Sequence, residues 1–185
     1  FRKQMELLTS AGFDALGIGS MEEPGFLREA GIELPMYFDQ GMYSWNHLAG
    51  AAMERYGADR LTIPVELNER EIRDSGVQGE MIVYGYLPMM ISAQCIRKTT
   101  LGCSGKPEIM WLKDRKDMRF PVVNQCRFCY NTIYNSAPLS LLGLSEQVTG
   151  LKPNAVRLNF TVEEPAASSG MGAPSGRGGR ATDLT

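Results

Sequence analysis

Histidine is all but missing from this chain of 185 residues, in which His47 stands alone. A hydrolase needs an activated nucleophile or a metal-bound water. A Ser-His-Asp site through His47 has no G-x-S-x-G to support it. A zinc hydrolase needs an open coordination position, and four cysteine ligands would leave none. His47 therefore reads as an ordinary, partly exposed residue just inside a helix start. Long apolar runs are absent too: none approaches the ~20 residues that span a bilayer, so no membrane partner is expected. No signal peptide is visible, and the expected location is cytoplasmic. The chain opens on Phe1 inside a helical pattern and reads as a fragment, so this says little about a parent protein. The nucleotide fingerprints G-x-G-x-x-G and G-x-x-x-x-G-K-[ST] do not occur. Net charge is only −2, so a polyanion would have to meet a local basic patch.

What is present is the composition of an ordinary globular protein, 43% hydrophobic and 22% charged. Its length allows one core and a small appendage. Met5 and Leu8 mark a first helix ending near Gly12, and 13–19 is a short apolar run. Residues 22–30 suit a helix with Pro24 in its first turn and Gly31 after its end, and 34–38 is strand-like. Asn46 caps the next helix, with Leu48, Ala52, Met53 and Tyr56 inward and Gly57 as its stop. After a strand at 60–66, Asn68 and Glu71 form a capping box, and 80–86 is again a strand. Strands that alternate with helices at about 20-residue spacing indicate a parallel sheet. A helix is expected over 140–148 and a strand over 155–162, while 131–134 is ambiguous. Residues 165–185 are Pro/Ala/Ser/Gly-rich and are expected to be a disordered tail after a domain of residues 1–164.

All four cysteines follow the strand at 80–86, spaced C-x7-C-x22-C-x2-C: Cys95, Cys103, Cys126 and Cys129. Two cysteines separated by two residues can aim at one centre, and a second pair can complete a thiolate set. Residues 108–112 and 118–123 are strand-like around a polar turn. A hairpin there would carry Cys103 back toward Cys126. Disulfides and unrelated buried thiols compete with this reading. Zinc and an iron–sulfur cluster both accept four thiolates, and the spacing does not choose.

Four segments, 60–67, 80–87, 124–127 and 158–161, occur in the order that resembles the collagenase-like peptidase family. The likeness runs from about Asp14 to Val162, over the C-terminal half of that family's catalytic domain. It implies a (β/α) barrel-like domain; with the reading of the residues, the expected fold is α/β, a partial (β/α) barrel-like parallel sheet with a cysteine-bearing hairpin insertion over 95–129. The likeness also implies an iron–sulfur cluster, zinc being the alternative that the cysteine spacing leaves open, and oxygen-independent hydroxylation of RNA bases or of a small metabolite. The family's older name implies a peptidase, whose catalytic groups would come from the N-terminal half. The family signature has a histidine where this chain has Tyr84 and a cysteine where it has Pro88. Cys95 falls on the second signature cysteine, and Cys126 with Arg127 on the later Cys-Arg pair. Cys103 and Cys129 lie off the signature.

In a barrel, chemistry collects at the C-terminal strand ends, which makes Asp39, Glu66 and Tyr84 catalytic candidates. Bland roles compete: a turn residue, a helix-leading acid and a core aromatic. Arg127 is a candidate for holding an acidic cosubstrate or phosphate, against a surface salt bridge. Lys113, Arg115, Lys116 and Arg119 make a small basic hairpin interrupted by Asp114 and Asp117, which reads first as a solvated turn. RNA or a small molecule is the expected partner. A non-catalytic zinc module that binds RNA or protein is the remaining alternative.

Overall fold

In the computed structural model, which describes Leu7 and residues 10–163, the described residues fall into two compact units. One runs up to Ile82 and resumes over Leu144–Arg157. The other holds Val83–Gly143 and the described residues from Leu158 to Glu163. The expected first-helix residues Met5 and Leu8, and the expected tail at 165–185, lie outside the described residues.

The first unit alternates as the sequence requires. Strands β1 (Leu16–Ile18), β2 (Met36–Phe38) and β3 (Arg60–Leu61) are separated by helices α1 (Glu23–Glu29) and α2 (His47–Tyr56). They pair in parallel in the order β1-β2-β3, with Leu16 beside Met36 and Phe38 beside Leu61. Helix α3 (Glu69–Ser75) leads to β4 (Glu80–Gly85), and a parallel bridge from Thr62 to Glu80 adds a third parallel pairing. No closed barrel forms among the described residues.

Caps set the helix limits. The Asn46 side chain accepts from Ala49 N at 3.0 Å, and Gly57 ends α2 at φ +116°. Asn68 and Glu71 exchange side-chain-to-backbone bonds at 3.1 and 2.8 Å, the anticipated capping box. The core gathers Ile18, Leu27, Phe38, Met53, Leu61 and Val77.

The inward face of α2 differs from expectation. Gly50 and Met53 are buried, Tyr56 is half-buried, Ala52 is exposed and Leu48 is 69% exposed. A Cβ on Gly50 would come within 3.4 Å of Val77 and 3.5 Å of Leu61, so the helix seats on its least bulky residue. That close approach turns Leu48 outward.

The second unit is antiparallel. The expected hairpin forms as β6 (Ile109–Lys113) and β7 (Arg119–Gln125), with Trp111 opposite Pro121. It does not stand by itself, because β5 (Pro88–Ser92) and β8 (Tyr130–Tyr134) extend it to a sheet ordered β5-β8-β7-β6. Thus 131–134 is a strand, and β5 is an addition to the sequence reading. A short helix α4 (Ile96–Leu101) lies between β5 and β6.

The helix expected over 140–148 is also corrected. Leu139–Ser140 is instead a strand, β9, antiparallel to β4 at Gly85 and Tyr84, and helix α5 spans only Ser145–Gly150. Gly143, poor at propagating a helix, separates the two. The final strand β10 (Ala155–Asn159) lies beside β4 in the order β10-β4-β9. Gly85 lets it approach, since a Cβ there would lie 2.3 Å from Asn159 O. No helix among the described residues is long and apolar enough to cross a membrane.

Candidate thiol site

All four cysteines belong to the second unit, on the connections between its strands. Cys126 and Cys129 bound the tight turn from β7 to β8, closed by Phe128 N donating to Gln125 O at 3.0 Å. Cys129 adopts φ +55°, a left-handed conformation uncommon for a residue with a Cβ. Cys95 caps α4, its sulfur accepting from Lys98 N at 3.4 Å. Cys103 follows the end of that helix and is exposed.

The long connection from Cys95 to β6 is tied down. Cys126 Sγ donates to Lys106 O at 2.9 Å. Arg97 pairs with Glu108 at 2.6 Å and donates to Gly102 O at 2.9 Å. Ser104 Oγ donates to Glu108 at 3.2 Å. At the other end of the connection, Asn131 Nδ2 donates to Gln94 O at 2.8 Å. Two of these bonds, from Cys126 Sγ to Lys106 O and from Asn131 Nδ2 to Gln94 O, tie the connection to the β7–β8 hairpin, while those of Arg97 and Ser104 stay within the connection.

Electrostatics link the sulfurs. Desolvation pushes the Cys126 thiol up, and Cys103, Cys95, Glu108 and Cys129 push it further, in that order. Burial first, and the three other thiols and Glu108 after it, favour the neutral form of Cys126. No disulfide joins them. Among the described residues, no three His, Cys, Asp or Glu side chains stand where one metal ion would take them all.

The other candidates have different settings. Asp39 follows β2, accepts from Gln40 N at 2.8 Å and pairs with Arg157 at 2.5 Å. Arg157 also lies 3.1 Å from Glu80. Glu66 sits exposed in the turn before α3. Tyr84 is buried in the second unit, its ring 5.4 Å from Phe160. Burial raises its phenol above the usual range, and Glu163 adds to the rise. Arg127 is exposed, its guanidinium 5.3 Å from the Phe128 ring centroid. His47 is exposed at the first position of α2.

Arg157 and the buried pair Asn124 and Asn131 are features the sequence reading passed over. Asn124 lies within the quoted 124–127 segment, but an asparagine beside a turn signals the turn and not a buried site.

A parallel α/β unit and an antiparallel unit whose strand connections carry four free cysteines define the class of protein. The chain belongs to Peptidase family U32, whose family model matches residues 1–160. No curated protein and no solved structure matches it.

Proposed function

We propose that this chain is part of an iron–sulfur enzyme that hydroxylates a base in RNA, its parallel strands forming part of a (β/α) barrel-like domain. One observation carries the reading: the connection that bears Cys95 and Cys103 is tied to the hairpin that bears Cys126 and Cys129, by Cys126 Sγ on Lys106 O and by Asn131 Nδ2 on Gln94 O. The donors suit the group, since all four are reduced thiols and unpartnered polar atoms of buried Asn124 lie two residues from Cys126. In an iron–sulfur cube each thiolate binds its own iron, so the sulfurs need not converge on one point as zinc demands. Cys95, Cys103, Cys126 and Cys129 would hold the cluster, which when bound supplies one-electron transfer.

The rest falls to the chain's own side chains. Val83–Gly143 carries eight Lys and Arg against three Asp and Glu, in a chain of net charge −2. The segment that bears the thiols is therefore the basic one, which favours a polyanion over a neutral metabolite. Arg127, next to Cys126 and exposed, offers a planar fork for a phosphate.

Anaerobic purification of the full-length protein tests the reading. A brown protein with iron and acid-labile sulfide is expected, and Cys126→Ser or Cys129→Ser should remove most of both. A colourless protein with one zinc overturns the redox reading in favour of a binding module. Iron that survives both substitutions places the site elsewhere.

A further inference from the structure

Asn124 in β7 and Asn131 in β8 sit directly opposite each other in the ladder, 1% and 0% exposed. One end of the pair is employed: Asn131 Nδ2 donates to Gln94 O at 2.8 Å and reaches Ser92 O at 3.4 Å. Asn131 Oδ1 and both polar atoms of Asn124 have no partner among the described residues. A buried polar group left unmet costs ~1–3 kcal/mol. Val122, two residues before Asn124, is fully buried, so the same strand accepts an apolar side chain. A pair of carboxamides in the next row calls for a polar occupant.

The neighbours of the pair indicate which one. Cys126 stands just past the end of β7 and Cys129 just ahead of β8, in the turn that joins the two strands. Cys126 lies two residues beyond Asn124, and Cys129 two residues before Asn131. The third approach is through Gln94, the carbonyl that Asn131 holds, which directly precedes Cys95. The unmet carboxamide therefore lies one row behind the turn that carries Cys126 and Cys129.

We infer that Asn124 is a positioning residue for the thiol site, its Nδ2 donating a hydrogen bond to a sulfur of the bound cluster while Asn131 fixes the Cys95 connection. The inference rests on the iron–sulfur reading above. An amide donor suits this role, because sulfur ligands are electron-rich acceptors and hydrogen bonds to them tune cluster potentials. A one-electron reduction adds a negative charge to the cluster, so the donor stabilises the reduced form more than the oxidised one. Removing it should shift the potential downward.

The test is a redox titration of the anaerobically purified full-length protein by visible absorbance and spin resonance, with dithionite as the electron source. Asn124→Leu keeps the shape and removes the donor, and Asn124→Asp keeps the oxygen and replaces the donor with charge. With iron and sulfide content unchanged, each should lower the reduced-to-oxidised ratio at fixed potential about tenfold, a shift of ~59 mV for one electron. Asn124→Asp should shift at least as far as Asn124→Leu. If the leucine variant fails to fold, the aspartate variant decides. Unchanged potentials in loaded variants overturn the inference and leave the carboxamides to buried water. Folded variants that load no cluster also overturn it, because the pair would then act by holding the connection alone. Absence of iron and sulfide from the unsubstituted protein is a different result, and it removes the iron–sulfur reading itself.

Discussion

Arg157 joins Asp39, at the end of β2, to Glu80, at the head of β4, with its guanidinium 2.5 Å from one carboxylate and 3.1 Å from the other. Asp39 is thus engaged twice, by Arg157 and by Gln40 N. A carboxylate held this way acts as an anchor, and its availability as a catalytic base is reduced. Arg157→Met keeps the aliphatic stem and leaves two carboxylates facing each other. It should cost about 1–2 kcal/mol, given hydrogen bonds to charged groups in a partly exposed setting. Asp39→Asn should cost less than half as much. Urea denaturation of both variants checks the order, and an equal loss would show that Arg157 does not serve both acids.

Gly85 and Gly57 both have left-handed backbone, at φ +145° and +116°, and their surroundings predict unequal tolerance. An added Cβ at Gly85 would meet backbone, Asn159 O at 2.3 Å. At Gly57 it would meet only the flexible end of Met36, at 2.8 Å. Gly57→Ala should therefore cost about 1 kcal/mol from conformation. Gly85→Ala should cost ~3 kcal/mol or more, since strand backbone must move as well. Thermal melts that rank the two the other way would contradict the contact between β4 and β10.

Much of the first unit was legible because its signals are local. Pro24, Asn46, Gly57 and the Asn68–Glu71 box each mark a helix limit by their own chemistry, and short apolar segments between them had to be strands. Burial against a neighbour was not legible. Gly50 faces the core where Leu48 has the stronger hydrophobic claim, because the close approach of Val77 and Leu61 rewards a missing side chain. Strand β5 is exposed along nearly its whole length and starts with Pro88, so neither alternation nor composition announced it. Strand β8 buries Asn131, which breaks the apolar pattern a strand is recognised by. The cysteines could be picked out by spacing, whereas Asn124 and Asn131 gain meaning only when the ladder sets them face to face.

Burial raises the phenols of both Tyr84 and Tyr134 in the second unit, and the charge of Glu163 contributes at each. A raised native value means that the folded state keeps its phenolic protons to higher pH than the unfolded chain. The associated stability is complete below the unfolded value of about 10 and declines as pH rises through the native values. Unfolding by urea should become easier above that pH. Tyr84→Phe should flatten the decline without steepening it. Tyrosinate absorbance should show two late-titrating groups in the native protein, and their appearance at the ordinary pH would remove the basis for this dependence.

The turn between β6 and β7 carries the sharpest test of the nucleic-acid part of the proposal. Asp114 and Asp117 divide the basic run in sequence, but both are engaged within the turn. Asp114 accepts from Lys116 N at 2.7 Å and from Met118 N at 2.9 Å, and Asp117 pairs with Lys113 at 2.7 Å. Arg115, Lys116 and Arg119 are exposed, and the acids between them are turned to the turn's own needs. Each cation that meets a phosphate of a single strand releases condensed counterion and contributes about −0.7 to the slope of log K against log salt. Arg115→Glu, Lys116→Glu and Arg119→Glu together should therefore weaken binding of a single-stranded RNA oligonucleotide at least tenfold and flatten that slope by about 2. Changing Arg55, Arg70 and Arg73 of the first unit to glutamate controls for net charge alone and should have a much smaller effect. Equal weakening by the two triple variants would mean that RNA responds only to overall charge, and it would leave the hairpin as a solvated turn.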